Sequence, residues 1–271
     1  MSTARDPQQP AGKTSAGEAS AEPPDAYGGH ATLYDDLYAS RGKDYAAESR
    51  TITKLIRDAN PTAKTLLDVG CGTGSHLVHL RHAFDEVAGV EPSAPMRTAA
   101  QQRLPGVTIV DADMRTLDLR RRFDAVICMF ATIGYAGGPT GDIAGLFATL
   151  DALAAHVGSG GVIVVEPWMT AARYNVGHIG SDFTNRPGTD GNDRTIFRMS
   201  HSGFDPQHPR VSIVTMHYLV GSPDGIEHTS DVHHMSMWTD DDFLEAFEAA
   251  GCTAKFYLPG FGNGVYVAVK R

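Results

Sequence analysis

The stretch Thr65-Leu66-Leu67-Asp68-Val69-Gly70-Cys71-Gly72-Thr73-Gly74-Ser75 decides the fold. An apolar strand ends at Asp68 and runs into a Gly-x-Gly-x-Gly turn formed by Gly70, Gly72 and Gly74. A helical stretch is expected from Ser75 to residue 82. Glycine lets the backbone turn tightly and lets a flat ligand lie on the main chain, because no Cβ stands in the way. A helix opening behind such a loop offers free N–H groups to anionic ligand parts.

The loop spacing differs from the dinucleotide fingerprint G-x-G-x-x-G, since Ser75 stands where its third glycine belongs. The next apolar run, Val87-Ala88-Gly89-Val90, leads to Glu91 and Pro92. An acid at that strand end can accept both hydroxyls of a ribose. Val107-Thr108-Ile109-Val110 leads to Asp113 and Met114, suited to an exocyclic adenine N–H and to the ring face. A buried strand is expected over 124–129, and helices over 93–103, with Ser93 as N-cap, and over 142–156. Gly158-Ser159-Gly160-Gly161 reads as a helix stop before a strand at 161–166. Short strands alternating with helices predict an α/β fold, doubly wound around a mostly parallel seven-stranded sheet.

After Trp168 the pattern changes to three β-rich runs, 195–202, 210–220 and 226–238, divided by turns at Asp205-Pro206 and Ser222-Pro223-Asp224-Gly225. They predict an antiparallel β insert that roofs the site or forms a subunit contact. The expected organisation is a disordered tail at 1–26 and an N-terminal helical lid at 27–60. A core follows at 61–170 and 239–271, with the insert at 171–238. The tail is rich in Ala, Pro, Ser, Gly and Glu with hardly a large apolar side chain.

The 271 residues, 42% of them hydrophobic, suffice for one full α/β domain with an added lobe. A net charge of −9 argues against a nucleic-acid partner, since phosphates need a basic face. Cys71, Cys128 and Cys252 are scattered in or beside apolar runs, so buried free thiols are expected rather than disulfides. No apolar run approaches the ~20 residues of a bilayer span, and a cytoplasmic protein is expected. His76, His79 and His82, and His228, His233 and His234, lack a recognised metal spacing, so no metal is expected.

The string from Asp68 through the glycine loop, Glu91, Asp113-Met114 and the Phe123-Asp124 strand resembles the class I S-adenosylmethionine-dependent methyltransferases. A finer resemblance is to the bacterial N-methyltransferases that dimethylate nucleotide-linked amino sugars in secondary metabolism. It rests on Arg41-Gly42-Lys43-Asp44-Tyr45, on residues 129–135, on Glu166-Pro167-Trp168, on residues 198–202 and on the stretch 243–252. The resemblance implies S-adenosyl-L-methionine as cofactor, held by Tyr34, Asp68, Gly70, Gly72, Gly74, Glu91, Pro92, Asp113, Met114 and Met129. It implies two successive methylations of a primary amine on a deoxysugar joined to thymidine diphosphate. Tyr27 matches a tyrosine of the mobile N-terminal segment that reaches the sugar amine. Tyr135 stands where close relatives carry histidine, so orientation of the amine falls to Tyr135 and proton removal to water.

Substrate contacts are expected from Trp168 by stacking and from Arg173, Arg198 and His201 at the diphosphate. Asn263 replaces an arginine that close relatives direct at the nucleotide phosphates, which leaves open an amino sugar already attached to an aglycone, or another small amine or hydroxyl. Related enzymes are commonly dimers, and a homodimer is compatible with the resemblance. A cofactor-binding protein without turnover and a dinucleotide oxidoreductase remain the alternatives of other classes.

Overall fold

The computed structural model describes residues 31–185, 193–258 and 261–271. The expected tail and Tyr27 lie outside the described residues. The chain opens with α1 (Ala31–Ser40) and α2 (Tyr45–Ala59), followed by β1 (Thr65–Val69), α3 (Leu77–Leu80), β2 (Glu86–Val90), α4 (Ala94–Arg103) and β3 (Thr108–Val110). Then come β4 (Phe123–Cys128), two short 3-10 turns at Thr132–Tyr135 and Gly138–Thr140, α5 (Ile143–Ala155) and β5 (Val157–Val165). An insert of four strands follows: β6 (Ile179–Thr184), β7 (Thr195–Phe204), β8 (Val211–Ser222) and β9 (Gly225–Ser236). α6 (Asp240–Ala249), β10 (Cys252–Tyr257) and β11 (Val265–Lys270) close the chain.

The seven core strands run in the order β10-β11-β5-β4-β1-β2-β3. All neighbours are parallel except at β11, which runs antiparallel to β5 and to β10. The chain winds from β1 outward to β3, then returns to lay β4 on the other side of β1. Such a reversal opens a crevice beyond the carboxyl ends of the strands. It brings the 70–74 loop after β1 beside the turn after β4.

Local chemistry explains the helices that border this crevice. Asp44 caps α2 by accepting from Ala47 N–H at 2.8 Å. Ile52 and Ile56 of α2 are fully buried against Leu66, Leu77 and Ile127. α2 is therefore a core helix, and residues 27–30 of the lid expected at 27–60 lie outside the described residues. The helix expected from Ser75 to residue 82 contracts to the four residues of α3, flanked by turns. One helical turn adds little dipole, so anion attraction by a helix terminus does not carry the site. Ser93 stands at the N-cap of α4, but its side chain makes no capping hydrogen bond. The glycine run 158–161 does not end the previous element. It lies inside β5, where the pairing jumps from Phe123↔Val157 to Ala125↔Val162 and leaves a bulge.

The insert is an antiparallel meander in the order β6-β7-β8-β9. β6 joins the three runs foreseen from sequence. One face of the meander buries Ile196, Arg198, Ser212, Val214, Tyr218 and His233. Leu33 and Leu37 of α1 pack against Ile196 and Tyr218 there. α1 is thus wedged between the insert and the core.

Candidate active site

The three loop glycines have three different environments. A Cβ on Gly70 would lie 2.2 Å from the Thr132 side chain, and one on Gly74 would lie 2.6 Å from Leu104. A Cβ on Gly72, whose φ is +56°, would meet nothing within 4 Å. Gly70 and Gly74 therefore let the loop close onto its neighbours, while Gly72 lines the open crevice. Glu91 is buried beside it, with Oε2 accepting from Gly72 N–H and Oε1 from Ser93 N–H, each at 2.9 Å. Asp68 is 1% exposed, and its Oδ2 has no hydrogen-bond partner among the described residues. Burial, with the Glu91 carboxylate nearby, pushes the Asp68 carboxyl up to about 8.

α1 is fastened to this loop. The buried Asp35 carboxylate accepts from Thr73 Oγ1 at 2.7 Å and Ser75 Oγ at 3.2 Å. Arg103 of α4 meets Asp35 at 2.5 Å and donates to Thr73 O at 3.0 Å and Ser75 Oγ at 2.8 Å. Helix, glycine loop and α4 therefore share one charged network. Tyr34 and Tyr38 of α1 turn the other way, to Phe130, with ring centroids 6.3 and 4.9 Å from it.

The turn after β4 is strained. Phe130 and Ala131 both have positive φ, 54° and 62°, a region costly for residues with a Cβ. Glu166, at the end of β5, holds the turn by accepting Phe130 N–H at 2.7 Å. Burial raises the Glu166 carboxyl to about 7, against the opposing pull of Lys43 and of that hydrogen bond. Lys43 Nζ lies 3.8 Å from the Phe130 ring centroid and 2.7 Å from Glu48, which in turn holds His76 at 2.8 Å. His76 thus serves an ion pair, and among the described residues no group of three or more potential metal ligands occurs.

The remaining residues singled out from sequence separate into those the fold gathers and those it disperses. Met129 is buried at the end of β4 beneath the loop. Met114 packs on the core beside β2 and β4, and Pro92 is exposed after Glu91, with its carbonyl accepting from Arg97 at 2.9 Å. Asp113 accepts from Arg115 through both carboxylate oxygens, and that hydrogen bonding holds it below its ordinary range. Trp168 is wedged against Gly134 and the insert, with Nε1 donating to Ser212 Oγ at 2.9 Å. The Tyr135 hydroxyl lies 2.8 Å from His233 Nδ1 on β9. Arg173 reaches the loop of Asn263, donating to Gly262 O at 3.4 Å.

Arg198 and His201 do not form one anion site. They lie three apart on β7, so strand alternation sends them to opposite faces. Arg198 is 4% exposed and its guanidinium is paired with Asp182 at 2.5 Å. His201 is exposed on the outer face, aligned with Ile179 and Thr215 and away from the crevice. The histidines grouped by sequence also part: His228 stacks on His217 outside, while His233 is buried inside.

A family profile described as a methyltransferase domain matches residues 66–161. The dTDP-3-amino-3,4,6-trideoxy-alpha-D-glucopyranose N,N-dimethyltransferase of Streptomyces venezuelae is 40% identical over 242 residues, covering 89% of this chain and 97% of the relative. The dTDP-4-amino-2,3,4,6-tetradeoxy-D-glucose N,N-dimethyltransferase of Saccharopolyspora spinosa is 35% identical, covering 89% and 93%. The chain belongs to the sugar N,N-dimethyltransferases. The crystal structure of Streptomyces venezuelae DesVI superposes with a TM-score of 0.82 at 38% identity, covering 89% of this chain and 98% of that one. S-adenosylmethionine-bound CalS10, an amino pentose methyltransferase from Micromonospora echinaspora, gives 0.78 at 37% identity, covering 88% and 97%.

This methyltransferase uses S-adenosylmethionine, and its crevice fits that cofactor on two counts. The position of Gly72 leaves room against the main chain, and Asp68 Oδ2 is a buried oxygen with no hydrogen-bond partner among the described residues. Sequence reasoning missed Asp35, Arg103 and His233 as parts of the site. Each acts across a long sequence interval, and nothing local marks it. Glu166 was marked only as part of a motif, and its proximity to Phe130 emerges only when β4 and β5 pair.

Proposed function

We propose that this enzyme transfers two methyl groups in succession to the amine of a deoxyamino sugar carried on a nucleoside diphosphate, thymidine diphosphate being the carrier named for its relatives. The observation that supports this reading most is the near-complete coverage of relatives named for that substrate class, insert included. This reading implies a cytoplasmic enzyme of bacterial secondary metabolism, the setting of calicheamicin biosynthesis given for CalS10.

Bound S-adenosylmethionine supplies an electrophilic methyl group on a sulfonium. In our reading Glu91 accepts from the ribose, Asp68 holds the ammonium of the amino-acid end, and Asp113 with Met114 and Pro92 borders the adenine. Gly70, Gly72, Gly74, Met129 and Tyr34 shape the remaining wall. The acceptor amine enters beneath the insert, where Tyr135 orients it; Tyr27 joins from the segment outside the described residues. A positioned amine gains most of its reactivity from alignment. An alkylammonium of ordinary pKa, ~10, has no lone pair, so an apolar pocket near a positive centre favours the reactive neutral form.

Arg173 donates to the Gly262 carbonyl beside Asn263, and in our reading its guanidinium serves the diphosphate there, since Asn263 carries no charge. Trp168, half-buried and hydrogen-bonded to Ser212, shapes the wall between this loop and the insert. The test is methyl incorporation from labelled cofactor into dTDP-3-amino and dTDP-4-amino deoxysugars, with the dimethyl product identified by mass. Turnover confined to an aglycone-linked amino sugar would move the acceptor to that class. A homodimer belongs to the same reading: Ile179, Phe183, Met199, Leu219 and Val232 stand exposed together on the outer face of the insert.

A further inference from the structure

The insert delivers a buried imidazole to Tyr135, the hydroxyl among the described residues that is assigned to the acceptor amine. His233 is 2% exposed, yet its Nδ1 lies 2.8 Å from Tyr135 Oη, across 98 residues of sequence. The strand bearing it packs directly on the 3-10 turn bearing Tyr135: Met235, two residues along β9, would contact a Cβ on Gly134 at 2.8 Å. We propose that His233 is a positioning residue for methyl transfer: its Nδ1 accepts the hydrogen bond of the Tyr135 hydroxyl, which fixes the phenol oxygen in the acceptor role toward an N–H of the amine.

An amine that donates N–H to a fixed oxygen has its own lone pair restricted in direction, and direction is what an in-line transfer requires. A freely rotating phenol would instead donate to that lone pair and block it. The arrangement needs a neutral imidazole. Burial, aided by the Arg198 cation and by His234, lowers His233 to about 4, so the ring stays uncharged through the neutral range. The other ionisable groups on the inner face of the sheet with Arg198 are Asp182, which is paired with it, Tyr218, Glu227 and Asp231.

This inference rests on the proposed amine acceptor, and its test separates the two. Wild type, His233→Ala, Tyr135→Phe and the double variant are compared on a nucleotide-linked amino sugar, together with His233→Asn, whose side chain keeps an acceptor near the Nδ1 position. We expect His233→Ala to lower kcat about tenfold, S-adenosylhomocysteine affinity to stay constant, Asn to restore most of the rate, and the alanine effect to vanish in the Tyr135→Phe background. An undiminished loss in that background would overturn the proposal. Should alanine unfold the insert, the imidazole measurement described next carries the test, with Tyr135→Phe as its control. An arm independent of activity is 15N NMR of the imidazole in the resting protein. Nδ1 should be the unprotonated acceptor, with a resonance that moves in Tyr135→Phe; a proton on Nδ1 would overturn the assignment. Failure of wild type on every amino sugar would strike the substrate reading instead, leaving the tautomer to judge His233.

Discussion

At the scale of single residues, the loop glycines should divide by phenotype. Gly72→Ala adds a side chain toward open space at φ +56°, so it should weaken S-adenosylhomocysteine binding, with a stability cost of about 1–2 kcal/mol from the left-handed backbone alone. Gly74→Ala drives a methyl into Leu104 and should mainly lower the melting temperature. Calorimetric titration beside melting curves distinguishes them, and identical profiles would refute the division. Glu91→Ala should cost roughly 1–3 kcal/mol of binding through unmade hydrogen bonds. Asp68 supplies a pH prediction. Its carboxyl rises from an ordinary 3.8 to about 8 on folding, so the folded state holds the proton more tightly. That contribution to stability is complete below the unfolded value and is lost as pH rises through about 8. The melting temperature of the cofactor-free enzyme should therefore fall between about pH 4 and 8, and Asp68→Asn should flatten the fall; parallel curves would contradict the burial argument. These residues were legible in sequence because loop, acid and strand are contiguous. Which glycine faces ligand and which faces protein was not, since that depends on Thr132 and Leu104.

At the scale of elements, α1 and the insert decide how the crevice is enclosed. The Asp35–Arg103 pair ties α1 to the loop through hydrogen bonds to charged groups, each worth about 1.5–3 kcal/mol. Asp35→Asn should loosen α1 without loosening α2, whose Ile52 and Ile56 lie in the core. Amide exchange would show faster opening confined to residues 31–40, accompanied by weaker cofactor affinity; uniform protection would refute the tie. The core alternation was readable because strands buried on both faces are near-continuous apolar runs. β6 was not, because Ile179-Gly180-Ser181-Asp182-Phe183-Thr184 buries only Thr184 and owes its form to pairing with β7. The direction of Arg198 was equally closed to inspection. A strand pattern gives two faces, and tertiary contacts such as the seating of α1 on Ile196 and Tyr218 show which is inward.

At the scale of the whole molecule, the outer face of the insert carries Ile179 at 64% and Phe183 at 57% exposure beside Met199, Leu219 and Val232. Sedimentation should show a dimer for the native enzyme and a monomer for Ile179→Glu combined with Val232→Glu, two residues aligned across the sheet through His201 and Thr215. A native monomer would remove the homodimer from the reading. Among the described residues no helix is long and apolar enough to cross a membrane. The strap across the glycine loop has a bearing on product distribution. Every transfer consumes one donor molecule, so a doubly modified sugar demands that the spent donor be swapped midway. In the proposed site α1, hitched to Thr73 and Ser75 by Asp35, borders the donor, and a swap that unhitches it leaves the half-finished sugar at liberty to diffuse off. Time courses should accordingly show the singly modified species building up in bulk solution before the final one, and its dilution by a labelled competitor should be complete.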